Sequence, residues 1–152
     1  MISRIVISFI LGLAFVSLLD FFYFIGIKLN YFEYYNVDEY FNILFVDNQN
    51  FPLLLLASLV VGYLLLYSKF AKFFAKIYII VVFAFASLLY APIGKSVGKY
   101  HFMEENQRFK LGSVVFEGHK IYEGRKIIYI YRNDLEKTVK LLKEEVTRLT
   151  TL

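Results

Sequence analysis

The chain has 152 residues, enough for one compact unit, and contains neither cysteine nor tryptophan. Lack of cysteine excludes disulfides, thiolate metal sites and a cysteine nucleophile. Its 17 basic and 13 acidic side chains leave a net charge of +4, too small and too mixed to argue for nucleic acid as a partner.

Hydrophobic residues make up 59% of the chain, where soluble domains average roughly 45–50%. The excess lies in the first 93 residues. After Arg4 an apolar run extends from Ile5 to Ile27, broken only by Ser8, Ser17, Asp20 and glycines. A secretory signal peptide starts in a similar way, but no small-x-small cleavage site follows Leu19. The run is long enough to cross a bilayer, so a first transmembrane helix is expected.

Residues 31–50 carry four acids, no bases and seven aromatics. Asn36 and Glu39 have the spacing of a capping box. Val37, Phe41, Leu44 and Phe45 then fall on one helical face. This predicts a short helix lying in the interface, with a packed loop as the alternative.

Two apolar runs follow, 51–67 and 77–93, joined by SKFAKFFAK, whose only charges are Lys69, Lys72 and Lys76. They predict a membrane hairpin: a second span starting at Pro52 and a third ending near Pro92 and Gly94. A re-entrant second half is the alternative. The three lysines read as a topology signal able to meet lipid headgroups. With Arg4 they place the N-terminus in the cytoplasm and the C-terminal part outside, in a periplasm if the cell has one. Lys95 and Lys99 weigh against this.

Residues 94–152 differ in kind, with 12 basic and 8 acidic side chains. Segments 109–116, 120–122 and 126–132 are rich in β-branched and aromatic residues, separated by Glu117-Gly118 and Glu123-Gly124 as turns. Leu135, Val139, Leu142, Val146 and Leu149 then follow at helical spacing behind Asn133 and Glu136, a second capping-box pair. A terminal amphipathic helix is expected, with a fourth strand over 138–142 as the competing reading. The expected fold is therefore membrane α-helical, with three transmembrane helices, the second and third a hairpin. A small C-terminal extramembrane β-meander with its terminal helix completes it. The boundary falls between 1–93, including an interfacial segment at 31–50, and 94–152.

Asp20 is the residue most suggestive of function. At ~1.5 Å per residue it lies roughly 22 Å beyond Ile5 in a core of ~30 Å. A carboxylate there is costly unless protonated, paired or hydrated. Neither of the other two spans offers a Lys, Arg or His in its apolar core; Ser17, Tyr63 or Tyr90 could donate a hydrogen bond, and a cation on another chain is a natural partner. Ser8 and Gly12, Ser58 and Gly62, and Ser87 and Ala91 each have the small-xxx-small spacing of close helix contacts, within the chain or with a partner. Nothing resembles a nucleophile elbow, a zinc-binding His pair or a phosphate loop. His101, Glu104, Glu105 and His119 are the only conceivable metal ligands, and no cofactor is implied.

These features suggest a non-catalytic multi-pass accessory or assembly subunit in contact with membrane lipid. It would bind another membrane protein, or itself, through Asp20, Gly12, Gly62 and the seam from Leu135 through Val139, Leu142 and Val146 to Leu149. Two alternatives are an immunity or exclusion protein protecting against a toxin or phage, and an ion or proton channel or transporter subunit using Asp20.

Overall fold

The structure, a computed structural model, describes residues 2–149. The chain falls into two units, Met1–Gly26 with Tyr40–Tyr90 and Ile27–Glu39 with Ala91–Leu152.

The first unit is helical. α1 (Ile2–Ile27) runs directly into a π-helical turn, Lys28–Phe32. α2 (Phe41–Asn48) is the short helix expected in 31–50, but it starts later than the capping-box reading. Asn36 instead takes a left-handed backbone (φ 53°) in a turn. α3 (Phe51–Leu66) starts behind Asn50, whose side chain accepts from the Leu53 amide at 3.1 Å, with Pro52 in its first turn. α2 lies at 84° to α3. α4 (Ala71–Ala86) continues through a 3₁₀ turn, Ser87–Leu89.

Among the described residues two helices are long and apolar enough to cross a membrane, Ile2–Phe32 and Ala71–Leu89, and a third is added if the bent α2–α3 pair counts as one span. α3 alone is 16 residues, ~24 Å at 1.5 Å per residue against a core of ~30 Å. It is the shortest candidate.

Contacts fix the directions of these helices. A Cβ at Gly12 would overlap the Ser58 carbonyl, and one at Gly62 would overlap the Ser8 carbonyl. α1 and α3 are therefore antiparallel and touch backbone to backbone. α4 runs parallel to α1: Phe15 packs on Tyr78, Tyr23 on Phe85, and Gly26 against Leu88. The Tyr78 hydroxyl donates to the Phe15 carbonyl at 2.9 Å.

In the second unit, α5 (Ala91–Phe102) forms where the sequence suggested a helix stop followed by linker. Pro92 sits in its first turn, where no amide donor is needed. Gly94 and Gly98 are buried on one face, and Tyr31 lies against Gly98. Five strands follow: β1 (Glu104–Leu111), β2 (Val114–Glu123), β3 (Ile127–Arg132), β4 (Lys137–Leu142) and β5 (Val146–Leu149). They form one antiparallel sheet in the order β4-β3-β2-β1-β5.

Two sequence expectations are corrected here. The first turn is at Gly112 (φ 59°) and Ser113, not Glu117-Gly118, which lies inside β2. There is no helix over 135–149 among the described residues; β4 and β5 occupy it, so the competing strand at 138–142 prevails.

The sheet cannot be flat. Its edges would stand ~19 Å apart at ~4.8 Å per strand, while Leu142 to Val146 reaches at most ~14 Å. β2 resolves this by bending. Its first half pairs with β1 and its second half with β3, and the pairing slips at Ile121. The curled sheet encloses Phe109, Phe116, Ile128 and Ile130, with Leu111, Leu141 and Val146 packed against them.

Candidate functional site

Asp20 has a partner from its own chain. Gln49 Nε2 donates to Asp20 Oδ2 at 2.8 Å. The antiparallel register set by Gly12 and Gly62 brings position 20 level with the start of α3, and Gln49 lies in the link just before it. This partner comes from a link between helices and not from the spans, where the sequence points for one. The bond is to a neutral amide, so it satisfies one oxygen lone pair without cancelling a charge.

Gly12 and Gly62 pack against the opposite helix of the same chain, with Ser58 buried beside them. That contact leaves the Gly12–Gly62 face no surface for a partner. The Ser58 hydroxyl donates to the Leu54 carbonyl at 2.7 Å. Ser87 likewise donates to Ala84, at 2.6 Å.

Charge in the helical unit is sorted by end. Lys69, in the turn before α4, and Lys72 and Lys76, in its first turns, are exposed. The Arg4 guanidinium lies over the Tyr67 ring, 5.7 Å from its centroid, at this same end. Asp20 and Asp47, the acids of this unit, lie toward the other end.

The second unit holds a mixed ion network that sequence reading did not assemble. Lys120 on β2 is buried (8% exposed) and ion-pairs with Glu104 on β1; its second carboxylate, Glu123, is at 3.4 Å. Lys143, in the β4–β5 link, meets Glu123 at 2.8 Å, and Arg148 on β5 ion-pairs with Glu104. Three cations and two carboxylates thus stitch β1, β2, β5 and the link together. Lys120, Glu123, Lys143 and Arg148 rim a cavity of about 170 Å³ floored by Phe109, Ile128 and Val146. Glu104 and Lys120 face each other across the β1–β2 pair, a register the sequence does not display.

The conceivable metal ligands are dispersed into other bonds. Glu105 pairs with Lys99 at 2.8 Å, Glu104 belongs to the network above, and His119 Nδ1 accepts from the Asn106 amide at 3.1 Å. Among the described residues no group of three or more His, Asp and Glu side chains is placed to hold a metal ion.

The residues of the expected seam sit on the two sheet edges. Leu135 is exposed in the turn before β4, Val139 and Leu142 are on β4, and Val146 and Leu149 on β5. Leu142 is half exposed, whereas Val146 packs on the core.

The network predicts acid sensitivity. The Lys143 hydrogen bond holds the Glu123 carboxyl below its ordinary range, against desolvation. Bonds from Lys140, Lys99 and Arg132 lower Asp38, Glu105 and Asp134 in the same way. A folded-state value below the unfolded one gives stability that is present above the unfolded value and lost as pH falls through the folded one. Unfolding midpoints of the full chain, followed by circular dichroism, are therefore expected to hold from pH 7 to about 5 and fall below about 4. Lys143→Met is expected to flatten that fall; an unchanged acid slope would show that the pair contributes nothing.

No family model matches this chain, and neither a curated protein nor a solved structure matches it.

Proposed function

We propose that this protein is a non-catalytic accessory subunit of a membrane assembly, its helices serving as anchor and its curled sheet as a docking module for a partner membrane protein. The observation that carries the reading is the pair of open sheet edges. β4 and β5 each have one hydrogen-bonded neighbour, and in an antiparallel ladder alternate amides and carbonyls of an edge strand point away from it. Such an edge accepts an extended segment of another chain by strand addition.

Lys137, Lys140 and Arg148 stand on these edges. Lys140 already pairs with Asp38 and Arg148 with Glu104, so Lys137 is the edge cation left to discourage pairing between copies and to meet an acid on a partner segment. Asp20 is not needed for this reading, since Gln49 already meets it. The same fact weakens the channel reading, which needs several polar stations through the bundle.

For orientation, Arg4 with Lys69, Lys72 and Lys76 favours a cytoplasmic side for the N-terminus and the α3–α4 turn by the positive-inside rule. Three crossings would then put the sheet outside, with Lys95 and Lys99 as the opposing signal.

The experiment is purification from native membranes in mild detergent. Wild-type chain is expected to bring down a stoichiometric membrane partner, and Leu142→Asp to lose it. Because Leu142 is 50% exposed, that change should leave the unfolding midpoint within about 0.5 kcal/mol of wild type. A chain that purifies alone, with Leu142→Asp cells indistinguishable from wild type, would end the proposal.

A further inference from the structure

Beside the α1–α3 contact runs an apolar groove of about 320 Å³, lined by Ile5, Ser8, Leu59, Val60, Tyr63 and Leu64. Three observations concern what fills it. Arg4 stands one residue beyond its lip, over the ring of Tyr67, which itself packs on Tyr63 at 6.4 Å. Neither Arg4 nor any of Lys69, Lys72 and Lys76 has a carboxylate partner among the described residues. Finally, Ser8 is fully buried and its hydroxyl has no hydrogen-bond partner within the fold.

An apolar trough, a cation at its mouth and a buried donor one helical turn (~5.4 Å) below match the order of groups in a glycerophospholipid: chain, ester carbonyl, phosphate. We infer that this groove is a binding site for one anionic phospholipid. Its phosphate rests on the Arg4 guanidinium, one acyl chain lies along Leu59, Val60 and Leu64, and an ester carbonyl accepts from Ser8. Arg4 suits the role because a guanidinium presents paired donors to a phosphate. Lys69 and Lys72 add long-range attraction without fixing geometry. Without such an acceptor the buried Ser8 hydroxyl stays unpaired, at the full cost of its desolvation.

This inference rests on the helical unit lying in a bilayer, and on nothing in the docking reading; the Leu142→Asp result leaves it untouched. The test is native mass spectrometry of the full chain with equal amounts of dioleoylphosphatidylglycerol and dioleoylphosphatidylcholine. Wild type is expected to retain one phosphatidylglycerol at least fivefold in preference. Arg4→Gln should abolish the preference, while Lys72→Gln and Lys76→Gln each change it less than twofold and Ser8→Ala lowers retention of both lipids. If Arg4→Gln fails to fold, Arg4→Lys is expected to keep the charge preference and lower retention severalfold. Equal retention of the two lipids by wild type would overturn the site. So would equal losses from Arg4→Gln and Lys72→Gln, which mean diffuse attraction, or displacement of the lipid by inorganic phosphate.

Discussion

Valine at position 12 is expected to pull apart the first and third helices and to lower the stability of the helical unit by about 3 kcal/mol, the upper end of what overpacking costs. The usual escape from overpacking is a side-chain shift. Here the atom in the way is the Ser58 backbone carbonyl, with the Gly62 amide nitrogen next at 2.9 Å. Neither moves unless α3 moves as a rigid rod, and moving α3 also strips Gln49 from Asp20. Gly62→Val meets the Ser8 carbonyl and should cost as much. The double variant should cost much less than the two singles added, because both act on one contact. The control is Leu11→Ala, next door on α1 but 41% exposed. Denaturant titration in mild detergent, read by helical circular dichroism, makes the comparison. A Gly12→Val midpoint equal to that of Leu11→Ala would show that the two backbones do not touch.

That contact shows which parts of the fold the sequence carried openly. The small-xxx-small spacings were visible at Ser8–Gly12 and Ser58–Gly62, as were the apolar runs that hold them. Whether they face each other or another chain was not, because the spacing is identical in both cases and only the register of two helices decides it. The same register brought Gln49 to Asp20. A partner sought only among membrane-depth residues could not be found, since it comes from a link between helices.

The misread terminal helix has a different cause. Val139 and Leu141 are partly buried and Lys140 exposed, the period of a strand. The link 143–145 then adds three residues before Val146 resumes on β5. Val139 and Leu142 are three residues apart, as are Val146 and Leu149, so each pair lies on opposite faces of its strand; apolar residues on both faces of two short strands mimic helical spacing. The signal that favoured strands was chemical: Thr138, Val139, Val146 and Thr147 are all β-branched. Gly94 misled in the opposite direction. It reads as a stop signal, yet with Gly98 it forms the flat face that lets α5 lie against the π-helical turn. Glycine in a helix costs about 1 kcal/mol, and close packing repays it only where there is something to pack on.

What lies there is Tyr31, and its replacement is the second large effect expected. Tyr31 is fully buried, set against Gly98, with its ring near Phe32, Tyr35 and Phe102. Its hydroxyl donates to the carbonyl of Ile121 at 2.9 Å. Ile121 is the residue at which β2 slips register against β3, so the bend that curls the sheet and the side chain that ties it to α5 meet at one carbonyl. Removing the ring should cost about 3–5 kcal/mol through lost burial and the cavity left behind. Removing only the hydroxyl leaves that carbonyl short of a donor, for about 1 kcal/mol. The order Tyr31→Ala far below Tyr31→Phe, itself below wild type, should appear in unfolding midpoints of the full chain. Near-ultraviolet circular dichroism adds a second reading, since the aromatic cluster gives an ordered signal that Tyr31→Ala alone should erase. If Tyr31→Phe were as damaging as Tyr31→Ala, the hydrogen bond would dominate and the packing account of α5 would be wrong. If neither mattered, the joint between the π-helical turn, α5 and the sheet would have to be held by Phe32, Phe102 and Tyr122, whose rings pack beside it in tilted and edge-to-face pairs.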